Sequence, residues 1–222
     1  MIEVKNINKK YKAKVLENLS LTAEKGECIG ILGANGCGKT TLLEILSGSR
    51  KPDSGVITVA GKNALKSKGL FSEYIGYVPQ ENPLIGELSV KDNLWLWFNG
   101  SKKELNSVIN EGIVKRLGLA ELKDRRTDKL SGGMKRRLSI AIALLHSPPV
   151  LILDEPTTAL DLKLKADIRS ILKAYLQSGG TIIMSTHDEG DLKLCTRLML
   201  MKKGKLLELD KNITQGELLR LL

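Results

Sequence analysis

Aromatic residues are scarce: Phe, Trp and Tyr make up 4% of the chain, which argues against a surface built to stack on nucleic-acid bases. The three cysteines, Cys28, Cys37 and Cys195, fall at no metal-ligand spacing and are odd in number, so a reduced, cytosolic setting fits best. No apolar run approaches the ~18 residues of a membrane-spanning helix. Work at a membrane would therefore require docking onto another chain. Met1 leads directly into the strand-like alternation Ile2-Glu3-Val4-Lys5, so no signal peptide is expected. There is no internal repeat, no low-complexity segment and no long basic tail.

What is present is an ordinary globular composition, 42% hydrophobic and 27% charged over 222 residues. A core of that size buries roughly 70% of the unfolded chain's surface and needs no disulfide or metal staple. The formal charge of +10 favours anionic surroundings such as nucleotide, nucleic acid or an acidic membrane face. Dispersed lysines that simply maintain solubility explain it equally well.

Strands are expected at Ile2 to Ile7, Val15 to Leu21 and Glu27 to Leu32. The wholly apolar run Cys28-Ile29-Gly30-Ile31-Leu32 reads as a strand covered on both faces. A glycine-rich turn and a helical pattern from Lys39 to Leu46 follow, closed by Gly48. Further strands are expected at Val56 to Val59 and Tyr74 to Val78. From Glu81 to about Leu130 helical periodicity takes over, with one helix starting at Ser89-Val90-Lys91-Asp92 and another at Leu105 to Leu117. Beyond it come a helix (Gly133 to Leu145), a buried strand (Val150 to Leu153) and an amphipathic helix (Leu162 to Leu176). The buried strand Thr181 to Met184, a hairpin within Arg197 to Leu209 and a closing helix at Glu217 to Leu222 complete the pattern. Strands alternating with helices imply an α/β fold with a mainly parallel core sheet, and the middle block reads as a helical insertion at about 81–135.

The segment Gly33-Ala34-Asn35-Gly36-Cys37-Gly38-Lys39-Thr40 fits G-x-x-x-x-G-K-[ST] between a strand and a helix, the context of a phosphate-binding P-loop. Glycines let backbone N–H groups converge on phosphate oxygens, and the following helix turns its positive end to the same anion. Lys39 is expected to reach the β- and γ-phosphates of ATP, Thr40 to hold Mg²⁺, and Thr41 to donate to a phosphate further back. Cys37 is read as a spacer. Val150-Leu151-Ile152-Leu153-Asp154 supplies a carboxylate where a buried strand emerges, expected to contact Mg²⁺ through water. Glu155, one residue on, is placed to polarise an attacking water.

With these motifs in hand, the chain resembles the nucleotide-binding domain of the ATP-binding cassette (ABC) family over essentially its whole length. The distinguishing segment is Leu130-Ser131-Gly132-Gly133-Met134, between the P-loop and Asp154. A hydroxyl, two bare amides and a helix start make a second phosphate site. The resemblance implies that Ser131, Gly132 and Gly133 cap an ATP held by a second subunit's P-loop. It also implies that Gln80 senses Mg²⁺ and the attacking water. Asp161, in Ala159-Leu160-Asp161, would lie across the dimer interface. His187 would contact the γ-phosphate, and Tyr11 would stack on adenine. His146, the other histidine, is read as structural. The family's commonest residue after the glycine pair is glutamine; here it is Met134, and Met134-Lys135-Arg136-Arg137 is similar to a branch rich in drug, lipid and polysaccharide exporters.

The fold so implied is a P-loop NTPase with an N-terminal antiparallel β subdomain and an inserted helical subdomain, residues 1–222 forming one ATP-binding domain. The implied function is Mg-dependent ATP hydrolysis by a homodimer or a paired ATP-binding subunit on the cytoplasmic face of the cell membrane, powering a permease on a separate chain. Export is favoured over import. Trp95-Leu96-Trp97-Phe98 is read chiefly as helical core, with a permease contact as the alternative. The competing reading is a soluble cassette ATPase that serves cluster assembly; a nucleic-acid partner is the lesser possibility.

Overall fold

The computed structural model describes residues 1–210 and Ile213; the expected closing helix at Glu217 to Leu222 lies outside them. The chain opens with strands β1 (Ile2–Lys10) and β2 (Lys14–Ala23), then β3 (Cys28–Leu32) and helix α1 (Lys39–Leu46). β4 (Ser54–Val59), β5 (Lys62–Asn63), α2 (Leu70–Tyr74) and β6 (Ile75–Val78) follow. The helical block holds α3 (Val90–Trp97), α4 (Lys102–Glu111), α5 (Ile113–Arg116) and two single 3₁₀ turns. α6 (Gly132–Leu144), β7 (Val150–Asp154), α7 (Leu162–Gln177), β8 (Thr181–Ser185), α8 (Glu189–Leu192), β9 (Arg197–Lys202) and β10 (Lys205–Leu209) complete it.

Two sheets form. An antiparallel sheet has the order β2-β1-β4-β5, and a larger sheet the order β10-β9-β3-β8-β7-β6. In the larger sheet every pairing from β9 to β6 is parallel, and only β10 runs antiparallel. Successive side chains of a strand point to opposite faces, and the core follows that alternation. Cys28, Leu32, Leu151, Leu153, Ile182 and Met184 pack toward the helical block. Ile29, Ile31, Val150, Ile152 and Ile183 pack with α1 and the antiparallel sheet. Both faces of the central strands are therefore covered, which is why their sequences read as unbroken apolar runs.

The helical block departs from expectation in one place. A single helix from Leu105 to Leu117 is interrupted at Gly112 (φ −93°, ψ −147°), giving α4 and α5. α4 also begins earlier, because Ser101 and Glu104 form a reciprocal capping box. The block's first helix starts as expected, with Ser89 and Asp92 capping α3.

Trp95, Leu96 and Trp97 correct a second expectation. They are 39%, 55% and 55% exposed, so the core-packing reading fails for these three side chains; α3 packs inward through Val90 and Leu94 instead. His146 is exposed; its Nε2 lies 3.0 Å from the carbonyl of Trp97 and its ring stacks on Phe98.

Candidate functional site

Three parallel strands, β3, β8 and β7, lie side by side, and their C-terminal ends deliver the loops of one cleft. Its volume is about 660 Å³, and its walls include Asn35, Gly36, Gly38, Lys39, Thr40, Thr41, Gln80, Asp154, Glu155 and His187. Ten of the residues singled out from sequence thus converge, drawn from four separate segments. Val15 and Thr158 also line the cleft; neither carries a sequence signal.

The P-loop wraps the start of α1. Gly38 has φ +113°, and a Cβ there would meet Val15 Cγ1 at 2.9 Å and the Val15 carbonyl at 3.2 Å, so only glycine fits. Gly33, at the end of β3, is buried. Cys37 packs at the edge of the apolar cluster around α1, in keeping with a spacer. Lys39 is 8% exposed, and its ammonium donates to the carbonyls of Gly33 at 2.6 Å and Ala34 at 3.2 Å. A charge held by loop carbonyls inside the cleft can exchange them for phosphate oxygens by rotating its flexible stem.

Across the cleft, Asp154 ends β7 and is 1% exposed. Its Oδ1 accepts from the Ser185 hydroxyl at 2.5 Å, whereas Oδ2 is buried with no hydrogen-bond partner. A buried carboxylate oxygen without a partner is costly. A cation in the cleft would relieve that cost, so the Asp154–Thr40 pair fits a divalent ion. Among the described residues no group of three or more His, Cys, Asp or Glu side chains is placed to hold a metal ion by itself. A cleft with few carboxylates suits Mg²⁺, which is held through one or two of them and completes its shell with water and phosphate oxygens.

Glu155 sits in the left-handed region with φ +47°, a strained position for a glutamate. Its N–H donates to the Ser185 carbonyl at 3.2 Å and lies 3.0 Å from the Ser185 hydroxyl, holding that geometry. The carboxylate receives the Thr158 hydroxyl at 2.9 Å on Oε2, and His187 Nε2 lies 3.4 Å from Oε1. A carboxylate and an imidazole thus stand together in the lining of the cleft.

Sequence reasoning missed the scaffold behind these groups. Asp191 is fully buried and receives the hydroxyls of Thr157 at 2.7 Å and Thr186 at 3.0 Å. Arg169 of α7 donates to Asp191 at 2.7 Å and also bonds Asp188. Arg136 is 4% exposed, and burial pushes its guanidinium down to about 10 against the pull of Asp154, Tyr77 and Glu155. A signal for it existed. In α6 the buried positions include 133, 136, 140 and 144, a helical stripe on which a charge is out of place.

Ser131, Gly132, Gly133, Asp161 and Tyr11 do not line the cleft. Ser131 caps α6, its Oγ accepting from Met134 N–H at 3.3 Å, and Asp161 caps α7 by accepting from Leu164 N–H at 2.9 Å. The two helix starts adjoin, since a Cβ on Gly133 would meet Leu164 Cδ1 at 2.2 Å. Tyr11 is 47% exposed, with Lys9 Nζ at 5.7 Å and Arg50 Cζ at 5.5 Å from its ring centre.

A Gly-rich strand-to-helix turn, a lysine and threonine at its end and a carboxylate pair on a neighbouring parallel strand define a P-loop nucleoside triphosphatase fold. The ABC transporter family model matches residues 16–158. The chain belongs to that family, whose cassettes are ATPases. It is 36% identical to the ABC transporter ATP-binding protein YxdL of Bacillus subtilis, covering 98% of this chain and 88% of that protein. It is 40% identical to the Nod factor export ATP-binding protein I of Rhizobium meliloti, over 92% of this chain but 62% of that protein. Against the ABC transporter G family member 20 of Dictyostelium discoideum, at 38% identity, the match covers 93% of this chain and 29% of that protein. Among solved structures, the dimeric ATP-binding cassette MJ0796 bound to ADP and Pi superposes with a TM-score of 0.86 at 28% identity, covering 96% of this chain and all of that one. The cbiO1 subunit from Clostridium perfringens, part of the cbiONQ transporter complex, gives 0.82 at 32% identity, over 99% of this chain and 93% of that one.

Proposed function

We propose that this chain is the Mg²⁺-dependent ATP-hydrolysing subunit of a transporter, working as a pair of cassettes beneath a permease on a separate chain. The carrying observation is the convergence of Lys39, Thr40, Gln80, Asp154, Glu155 and His187 on one cleft. Residues 1–222 act in this reading as one ATP-binding domain, with the helical block inserted in the α/β core.

Lys39 and the P-loop amides would bind the phosphates, and Thr41 would add a hydroxyl. Thr40, Asp154 and Gln80 would hold Mg²⁺, which when bound neutralises charge on the transferring phosphoryl group. Glu155 would take a proton from the attacking water while His187 orients the γ-phosphate. Tyr11 would meet adenine from outside the cleft. The exposed Gly132, Asp161 and Leu162 support a face where a second cassette closes; there Ser131, Gly132 and Gly133 would cap its ATP. Ser131 retains a hydroxyl proton for that task, because its present bond uses only a lone pair.

The exposed Trp95, Leu96 and Trp97 support docking to a membrane partner rather than a free-standing ATPase. Among the described residues no helix is long and apolar enough to cross a membrane; in this reading the cassette reaches the membrane through its permease, on the cytoplasmic face where ATP is held. Export is our favoured direction, on the Met134–Arg137 segment and on similarity to a protein named for Nod factor export. The test is phosphate release from ATP with and without Mg²⁺, in wild type and in Glu155→Gln. Turnover that needs the metal and vanishes in the variant, with ATP binding kept, supports the reading. Wild-type protein that binds ATP yet releases no phosphate, even with its permease, sinks it.

A further inference from the structure

We infer that Arg136 is a positioning residue for hydrolysis, clamping the Gln80 loop and the Asp154–Glu155 strand end in one geometry and tying both to the helix that carries Ser131 and Gly133. The inference rests on the hydrolytic reading of the cleft given above.

The strands β6 and β7 pair in parallel up to Val78 and Leu153. Past that point the two chains part, and their carbonyls have no ladder partner across the gap. The Arg136 guanidinium fills this fork. Its Nη1 bonds the carbonyl of Pro79 and lies 3.4 Å from that of Gln80. Nη2 donates to the carbonyls of Asp154 at 2.6 Å and Glu155 at 3.0 Å, and Nε donates to that of Pro156 at 3.1 Å. One side chain therefore satisfies five carbonyls from two loops.

The residue type matters. A planar fork with five N–H donors can serve carbonyls on two diverging strands, whereas an ammonium projects its donors from one point. No carboxylate lies within ion-pairing distance of Arg136 among the described residues. An apolar side chain would fill the same space without burying a charge. What the guanidinium adds is fixed backbone geometry at the residues nearest the reacting atoms. Glu155 is thereby held from both sides, by Ser185 of β8 at its N–H and by Arg136 of α6 at its carbonyl. Its left-handed φ of +47° persists only under such restraint. Because α6 starts at the capping segment, any tilt of that helix on cassette closure would move the same carbonyls.

Arg136→Met and Arg136→Lys in the full chain test the idea. For Arg136→Met, kcat should fall about 10–100-fold while KM for ATP stays within about threefold, as expected when orientation rather than binding is lost. Arg136→Lys, which keeps the charge and some donors, should fall between. Without nucleotide, amide exchange in Arg136→Met should quicken at residues 79–82 and 154–158 and stay unchanged in α1 and β3. If kcat and the local exchange both match wild type, the inference is overturned. It is overturned equally if ATP affinity and exchange across the whole chain degrade together, since that marks a merely structural role. Should Arg136→Met not fold, Arg136→Lys is judged by the same two readouts. A wild-type chain without turnover would refute the hydrolytic reading instead, while the exchange comparison would still decide whether the clamp exists.

Discussion

Asp154 illustrates how single atoms set the properties of this cleft. One of its carboxylate oxygens accepts from Ser185 and the other has no partner. Ser185→Ala would strip the first oxygen as well and leave a buried carboxylate unsatisfied. We expect a loss of about 1–3 kcal/mol in stability without ligand, measured by urea denaturation, and partial recovery on adding Mg²⁺ and ATP. Lys39 presents the opposite case. Its ammonium is held by the carbonyls of Gly33 and Ala34, so Lys39→Ala should fold but bind ATP at least about tenfold more weakly, the scale of one charge-assisted contact. Equilibrium binding of a fluorescent ATP analogue measures it, and unchanged affinity would remove Lys39 from the phosphate site.

The two glycines that open α6 behave differently. A Cβ on Gly133 would press on Leu164, but a Cβ on Gly132 meets nothing within 4 Å. Nothing inside the chain therefore requires glycine at position 132. Gly132→Ala should leave the fold intact and even gain about 0.5–1 kcal/mol from reduced backbone freedom in the unfolded chain. If the segment caps a second cassette's ATP, the same substitution should lower ATPase activity, because the methyl group intrudes on the approaching phosphate. A stabilised variant with full activity would confine this segment to its helix-capping role. The expected Leu105–Leu117 helix splits at Gly112. Apolar periodicity continued across the glycine, yet α4 and α5 bury Leu105, Ile109 and Val114 in one cluster despite the break, so the pattern did not reveal it.

For the molecule as a whole, the proposed output is association. Leu162 is 85% exposed at the start of α7, next to Asp161 and two residues before Leu164, which packs at the α6 N-terminus. One exposed leucine is ordinary on a protein surface, but its place beside Asp161 puts it on the face proposed for the second cassette, where it can be tested. In Glu155→Gln protein, ATP should shift the chain from monomer to dimer by light scattering. Adding Leu162→Glu should abolish that shift while leaving ATP binding to the isolated cassette unchanged. Because each chain carries a formal charge of +10, the monomer should also associate more readily as salt screens the repulsion between copies. Dimerisation indifferent to Leu162 would move the interface elsewhere.

Much of the site was legible in the sequence because its chemistry depends on local spacing. Gly33 to Thr40 encode a turn and a helix start within eight positions, and Leu153-Asp154-Glu155 encode a buried strand and its exit. Central strands covered on both faces declared themselves as apolar runs for the same reason. Sequence could not show that Asp154 accepts a hydrogen bond from Ser185, that Glu155 takes a left-handed backbone, or that Arg136 reaches two loops. Those facts join residues up to 57 positions apart, and only packing brings them within hydrogen-bond range. Local spacing alone marks which groups can hold a phosphate; only the packed fold shows which backbone atoms keep those groups still. Hydrogen bonds to carbonyls carry no side-chain signature at the accepting end, so half of each such contact is silent until the chain is folded.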